Sequence, residues 1–154
     1  MRLIRSSKDK FLFYLGKLEK HLLLELFKLY PRIPSAGQPL SRSGKLPEQE
    51  ANQRLLEEAL AEQRAENKKQ LQALLADSHR FAEMEKGWQL SLSRADVEWL
   101  LQILNDIRVG SWIRLGSPED RSEKLNHKTA PDFWAMQTSG FVEMRLLEAL
   151  EEGT

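Results

Sequence analysis

The sequence contains no cysteine, which excludes a disulfide framework and any thiolate chemistry, whether for metal binding or for redox reactions. It also contains no apolar run long enough to span a membrane, because charged residues interrupt the leucine-rich stretch from Phe11 to Tyr30. No small-residue cleavage site follows that stretch, so a secretory signal peptide is not expected. These absences predict a cytoplasmic protein with no membrane association.

Motifs that would identify an enzyme are also absent: the sequence has no GxSxG, no P-loop, no GxGxxG and no HExxH. Its histidines, His21, His79 and His127, lie on different segments, and none has a histidine partner four residues away. We interpret them as surface or capping residues. We therefore expect no metal and no cofactor, and we favour a non-enzymatic role.

Charge is balanced over the whole chain but uneven along it. Residues 1–47 contain ten Lys and Arg against three Asp and Glu, whereas the remainder contains thirteen against twenty. Two interpretations stay open: a basic first helix that packs beside acidic ones, or a basic surface for nucleic acid or an acidic partner. We favour the first, because the basic residues are spread out and are not interleaved with stacking aromatic residues.

The clearest secondary structure lies between Ser93 and Pro118. Ser93 and Asp96 have the spacing of a capping box, in which each side chain accepts a hydrogen bond from the other residue's backbone N–H. Apolar residues then recur at helical spacing, and Gly116 ends the pattern. The sequence therefore predicts a central helix from Ser93 to Leu115 that is hydrophobic around most of its circumference.

Four polar residues on this apolar helix form the candidate site: Asn105, Asp106, Arg108 and Arg114. An unpaired carboxylate would be unfavourable there, and neither arginine is well spaced to pair with Asp106 along the helix. We therefore expect Asp106 to pair with another segment, either the loop from Ser117 to Lys128 or the helix cap at Thr129. The alternative is that Asp106, Arg108 and Arg114 surround a pocket for a ligand or substrate.

A first helix is predicted over Lys8–Tyr30. Ser6 and Asp9 repeat the cap spacing, and Pro31 ends the apolar pattern. One face of this helix would carry five apolar residues, Phe11, Leu15, Leu18, Leu22 and Leu29.

A last helix is predicted over Pro131–Glu151, with Thr129 and Asp132 as a third cap. Gly110 and Gly140 each fall in the middle of a predicted helix, where glycine is unfavourable by about 1 kcal/mol relative to alanine. We expect both glycines to lie at helix contacts, where the two helices approach closely.

Residues 31–49 are rich in proline, serine and glycine and predict a long flexible linker within one helical domain, residues 1–154. Residues 48–86 then contain neither proline nor glycine. They predict either one long helix, whose first half projects or pairs with another subunit, or two helices with a break near Glu66 and Asn67.

Several residues together resemble a known family: Trp99, the Asn105-Asp106-x-Arg108 tetrad, Arg114-Leu115-Gly116 and the Leu-Leu-Glu-Ala-Leu ending of the last helix. The sequence resembles an uncharacterised bacterial domain-of-unknown-function family, whose actinobacterial members are often encoded beside the ClpS adaptor of the Clp protease. The resemblance covers about Leu90 to Leu150. It departs at Asp132, Phe133 and Trp134, where that family has a Tyr-His-Trp-like run, so no role of that histidine carries over. The resemblance implies a small cytoplasmic protein.

Together these patterns predict an all-α fold, an irregular bundle of four to five helices. Short extended pieces around Leu3 and Leu90 could add a minimal two-stranded ribbon. The function we favour is a protein-interaction or regulatory module that binds a protein partner, with homodimerisation as an option and nucleic acid disfavoured. The alternative is a small ligand-binding protein or enzyme that uses the Asp106 pocket.

Overall fold

The computed structural model describes residues 1–34, 47–117 and 126–153. Within these ranges the chain forms four strands and four helices. In chain order they are β1 (Arg2–Ser6), β2 (Lys10–Leu15), α1 (Lys17–Phe27), α2 (Pro47–Ala76), β3 (Phe81–Glu83), β4 (Trp88–Ser93), α3 (Arg94–Arg114) and α4 (Ala130–Glu152). The strands form one antiparallel sheet in the order β1-β2-β4-β3.

The sheet shows that the expectation of an all-α bundle is wrong, because the start of the predicted first helix is a strand. Phe11, Phe13 and Leu15 are buried with half-buried residues between them, which is the period of two of a strand. The helix begins only after Gly16. Because of this shift, Leu18 is 69% exposed although the helical pattern predicted it in the core.

The predicted two-stranded ribbon is also wrong in its pairing. β1 and β4, which contain the two predicted extended pieces, do not pair with each other, because β2 lies between them. Ser6 belongs to β1 and is not a helix cap. The turn between β1 and β2 is closed by a hydrogen bond of 2.9 Å from the Ser7 amide to the Lys10 carbonyl oxygen.

The second predicted helix is one continuous helix, α2, with no break at Glu66 or Asn67. Its 30 residues span about 45 Å at 1.5 Å per residue. It ends at Ala76, ten residues before the predicted end, and the chain then forms the β3–β4 hairpin, in which Phe81 stacks on Trp88. The linker predicted over residues 31–49 is described only at its ends, because residues 35–46 lie outside the described ranges.

The predicted central helix is confirmed. Ser93 caps α3 in a reciprocal box with Asp96, and each backbone N–H lies 3.0 Å from the other residue's side-chain oxygen. Gly116, with a φ of 86°, follows the last turn as expected for a left-handed C-terminal residue. Ser93 is also the last residue of β4, so the sheet leads directly into α3.

The core is built on the sheet, α1, α3 and α4, with the C-terminal half of α2 packed against it. Side chains of β2 and β4 join those of all four helices in one contiguous cluster, for example Phe13, Leu92, Leu26, Leu74, Ile107 and Leu146. In the part of the chain that the structure describes, no helix combines the length and apolarity that a membrane crossing requires.

Candidate functional site

Asp106 holds the chain that follows α1 against α3. Its Oδ1 accepts two backbone hydrogen bonds, from the Arg32 amide at 2.6 Å and from the Ile33 amide at 3.3 Å. Its Oδ2 lies 3.8 Å from a guanidinium nitrogen of Arg64 on α2. We call residues 31–34 the anchored segment, because one largely buried carboxylate fixes its backbone.

Gly110 provides the space in which the anchored segment crosses α3. A Cβ atom on Gly110 would lie 2.5 Å from the carbonyl carbon of Arg32 and 2.6 Å from the amide nitrogen of Ile33. Such distances are too short for any side chain, so the backbone could not pass there over another residue. The close approach at Gly110 is therefore made by the anchored segment rather than by a second helix.

The Arg32 side chain ties the anchored segment to the start of α4. Its guanidinium pairs with Asp132, whose Oδ1 also accepts a hydrogen bond of 3.1 Å from Nε of Arg114. Asp132 therefore does not complete the predicted cap with Thr129. The Thr129 hydroxyl instead accepts a hydrogen bond of 2.9 Å from the Asn126 amide.

Asn105 and Arg108 face away from Asp106, towards α4. Arg108 donates to Asn105 Oδ1 at 2.7 Å and to Glu143 Oε1 at 3.3 Å. Burial raises the pKa of the Glu143 carboxyl, and the nearby Arg108 charge opposes that shift without cancelling it. Gly140 lies beside this pair, where a Cβ atom would be 3.7 Å from Cδ of Arg108, an ordinary contact.

The four candidate residues therefore belong to two separate networks. Asp106 and Arg114 are connected through Arg32 and Asp132, whereas Asn105 and Arg108 join Glu143. Of the four, only Asp106 lines the cleft described below, and among the described residues they do not lie around one pocket. The partners of Asp106 that the structure shows are the anchored segment and Arg64, and neither belongs to the Thr129 cap that we had expected. Residues 118–125 of the other expected partner, the Ser117–Lys128 loop, lie outside the described ranges.

A cleft with a volume of about 470 Å³ lies between α2, α3 and the anchored segment, and we call it the α2–α3 cleft. Its apolar lining comes from Leu56 and Leu60 on α2, Ile103 on α3, and Ile33 and Pro34. Asp106 and Arg64 lie among these residues.

Arg64 is the least satisfied charge in this cleft. Its side chain is 18% exposed, and the contact of 3.8 Å to Asp106 is its only ion pair or hydrogen bond within the described residues. That distance is too long for a direct hydrogen bond.

Asn67 braces α2 at the inner end of the cleft. This buried amide donates to the Tyr30 hydroxyl at 2.9 Å and accepts from the Trp99 indole at 3.1 Å and from Gln63 at 3.0 Å. A buried polar group with this many partners fixes the orientation of the elements that it joins. Asn67 thus holds α2 against both Trp99 of α3 and Tyr30, which follows α1.

Sequence reasoning missed Arg32, Arg64, Asn67 and Asp132 as members of these networks. Asn67 offered a signal, because it and Gln63 are polar residues within a helical stripe whose other members are leucines. Arg32 and Asp132 offered none, since their contact joins positions 100 residues apart in the chain.

The chemistry that the α2–α3 cleft offers is apolar contact and a guanidinium. Both oxygens of Asp106 already face donors or a cation, which leaves that carboxylate poorly placed to act as a base. Among the residues that the structure describes, no three His, Cys, Asp or Glu side chains are grouped so that they could hold a metal ion.

Comparisons with protein-family models, with curated proteins and with solved structures find no match to this chain. The family resemblance of the segment around Trp99 and Asp106 therefore stays a prediction.

Proposed function

We propose that this protein is a non-enzymatic interaction module that binds a segment of a partner protein in the α2–α3 cleft. The observation that carries the proposal is the pair Leu56 and Leu60, which are 40% and 43% exposed on the cleft wall formed by α2. The opposite wall presents Ile33 and Pro34, and Ile103 lies buried beneath them in the cleft lining. Covering such apolar surfaces is the main source of affinity when a helical or extended segment docks in a groove.

Arg64 supports a partner segment that carries a carboxylate. The guanidinium is mostly removed from water, yet its only anionic neighbour is too distant for a hydrogen bond. A partner Asp or Glu side chain could make a charge-assisted pair with Arg64, which is among the stronger polar contacts in proteins. The proposed ligand is therefore a peptide segment with apolar side chains and one acidic residue.

The proposed partner is a protein and not a nucleic acid. The proposed location is the cytoplasm. The N-terminal part of α2 carries Glu48, Glu50, Glu57, Glu58 and Glu62 and would repel phosphate groups at the rim of the cleft. The cytoplasmic location is supported by the sequence-based expectation alone.

The alternative of an enzyme or ligand-binding pocket around Asp106, Arg108 and Arg114 has less support. Arg108 pairs with Glu143, and Arg114 pairs with Asp132 outside the α2–α3 cleft. Of these three residues, only Asp106 would therefore contact a substrate in that cleft.

Selection of peptides from a phage-displayed library of random sequences tests the proposal. We expect the protein to enrich apolar peptides that contain an acidic residue. Leu60→Glu and Arg64→Gln should each weaken binding of a selected synthetic peptide by about tenfold or more, which is 1.4 kcal/mol or more. The control is Leu55→Glu, the same chemistry at an exposed position that does not line the cleft, and it should leave binding unchanged.

Two results would overturn the proposal. One is the absence of any enriched peptide. The other is a selected peptide that binds Leu60→Glu as tightly as it binds the unaltered protein, because binding would then occur elsewhere on the surface.

A further inference from the structure

A second surface of α2 points away from the α2–α3 cleft, and we call it the outer face of α2. Its residues are exposed and follow one helical stripe: Arg54, Glu57, Glu58, Ala61, Ala65, Lys68, Lys69 and Gln72. None of them except Glu57 lines that cleft. The outer face is therefore a different part of the molecule from the site proposed above, and the inference drawn from it does not depend on that site.

Charges on the outer face are arranged symmetrically about Gln63. Glu58 and Lys68 each lie five residues from Gln63, on opposite sides, and Glu57 and Lys69 each lie six residues from it. An acidic residue and the basic residue eleven positions later lie on nearly the same side of the helix, because eleven residues make three turns. Two acidic residues at one end thus mirror two basic residues at the other.

These charges have few partners among the residues that the structure describes. Glu57 accepts a hydrogen bond of 3.1 Å from Gln53, but Glu58, Lys68 and Lys69 form no ion pair or hydrogen bond within the described residues. No other described residue competes for these three side chains, so they can pair with another molecule. The pattern fits a partner helix that carries basic residues at one end and acidic residues at the other, in the opposite order.

We propose that a second copy of this chain is that partner and that the two α2 helices pair antiparallel, with the two-fold axis at the level of Gln63. The two-fold axis brings the same side of the two helices together, and each glutamate shares its side with the lysine eleven positions later. Glu57 therefore faces Lys68 of the second copy, and Glu58 faces Lys69 of the second copy, each within one residue of the same level. The two-fold symmetry repeats both contacts, so four ion pairs form. A parallel pair in register would instead place glutamate against glutamate and lysine against lysine.

Two further features of the molecule suit this arrangement. Ala61 meets Ala65 of the second copy at the centre, where small side chains allow the helix axes to approach closely. The C-terminal half of α2 also borders another cleft, about 550 Å³ in volume, that contains Leu24, Phe27 and Leu75 and is rimmed by Lys28 and Lys68. Lys28 pairs with Glu25 at 2.9 Å, so Lys68 is the rim cation that the acidic N-terminal half of the second α2 would meet.

Charge reversal tests the pairing through the molecular mass in sedimentation experiments, where the chain has a mass of 17.8 kDa. We expect a dimer of twice that mass. The dissociation constant of the dimer should rise by about tenfold or more in each of two double variants, Glu57→Lys/Glu58→Lys and Lys68→Glu/Lys69→Glu. Mixing the two should restore the dimer, because every opposed pair is again of opposite charge. A matched control, Arg5→Glu/Lys8→Glu on the β1–β2 hairpin, should dimerise like the unaltered protein.

Single cysteines test the orientation, since the chain has no other cysteine. Under oxidation an equimolar mixture of Ala61→Cys and Ala65→Cys should form a disulfide-linked heterodimer, whereas each variant alone should remain largely unlinked. Cross-linking of each variant with itself but not in the mixture would indicate a parallel pair and overturn the proposal. A monomeric protein, or a dimer that charge reversal leaves unchanged, would also overturn it.

Discussion

Asp106 shows, at the residue scale, how one side chain can position a segment that has no secondary structure of its own. The carboxylate satisfies two consecutive backbone N–H groups of the anchored segment, and Gly110 leaves the space in which that backbone crosses α3. Arg32 then carries the connection to Asp132 on α4. The wall of the α2–α3 cleft that the anchored segment forms therefore depends on a few polar contacts rather than on a packed helix or strand.

Replacing Asp106 by alanine should lower the free energy of unfolding by about 1–3 kcal/mol, because two partly buried backbone donors lose their acceptor. Asp106→Asn should have a smaller effect, since the amide oxygen can still accept from Arg32 and Ile33. The neighbouring exposed residue provides the control, and Asn105→Ala should change the stability by less than either variant. Urea unfolding measures all three. Equal stability of Asp106→Ala and the unaltered protein would contradict the anchoring role.

The two helical glycines should respond oppositely to alanine. Gly110→Ala places a methyl group against the Arg32 and Ile33 backbone and should destabilise the protein by about 1–3 kcal/mol. Gly140→Ala meets only an ordinary contact with Arg108 and should stabilise by up to about 1 kcal/mol through helix propensity. Thermal unfolding of both variants checks the signs, and a stabilised Gly110→Ala protein would show that the backbone does not cross α3 at this point.

Glu143 should make stability depend on pH in the acidic range. Its pKa is raised by burial in the folded state, so the folded protein binds this proton more tightly than the unfolded chain does. The stability of the unaltered protein relative to Glu143→Gln should therefore fall as the pH rises from the ordinary glutamate pKa through the raised one, and should stay constant above it. Urea unfolding at intervals between roughly pH 4 and pH 7 measures this difference. A stability difference between the two proteins that stays constant or increases with pH would contradict a raised pKa of Glu143 in the folded state.

At the scale of elements, success in prediction followed the strength of local signals. α3 has a capping box, an apolar pattern and a terminal glycine that all agree, and its bounds could be predicted from the sequence. The segment from Phe11 to Leu15 has no such agreement, because a continuous apolar run fits a buried strand and a buried helix equally well. The signal that was missed is Gly16, which separates strand β2 from helix α1.

The boundary at Gly16 has a direct consequence for two leucines. Leu18 is 69% exposed in the first turn of α1, whereas Leu26 is fully buried near the end of the same helix. Leu26→Ala should destabilise the protein by about 2–5 kcal/mol through loss of burial and formation of a cavity. Leu18→Ala should cost less than about 0.5 kcal/mol, as is usual at surface positions. Similar destabilisation by both substitutions, measured by thermal unfolding, would instead support a continuous helix from Lys8.

At the scale of the whole molecule, the α2–α3 cleft could not be predicted from the sequence. Asp106, one of the residues that line it, was predicted as a candidate site residue. Asp106 stood out because a carboxylate in an apolar helix requires a partner. The partners themselves come from chain positions with no local pattern, and the Arg32–Asp106 contact joins residues 74 positions apart. The cleft is thus a product of long-range contacts between three segments, which periodicity and capping signals do not encode.

The most direct test of the α2–α3 cleft as the binding site is an amide NMR titration of the ¹⁵N-labelled protein with a peptide selected by phage display. We predict that the largest shift changes occur at Ile33, Leu60 and Ile103, which line the cleft, and at the Trp99 indole, which donates to Asn67 in the cleft lining. Changes concentrated in the cleft between α1 and α2, at Leu24 and Leu75, would contradict the account.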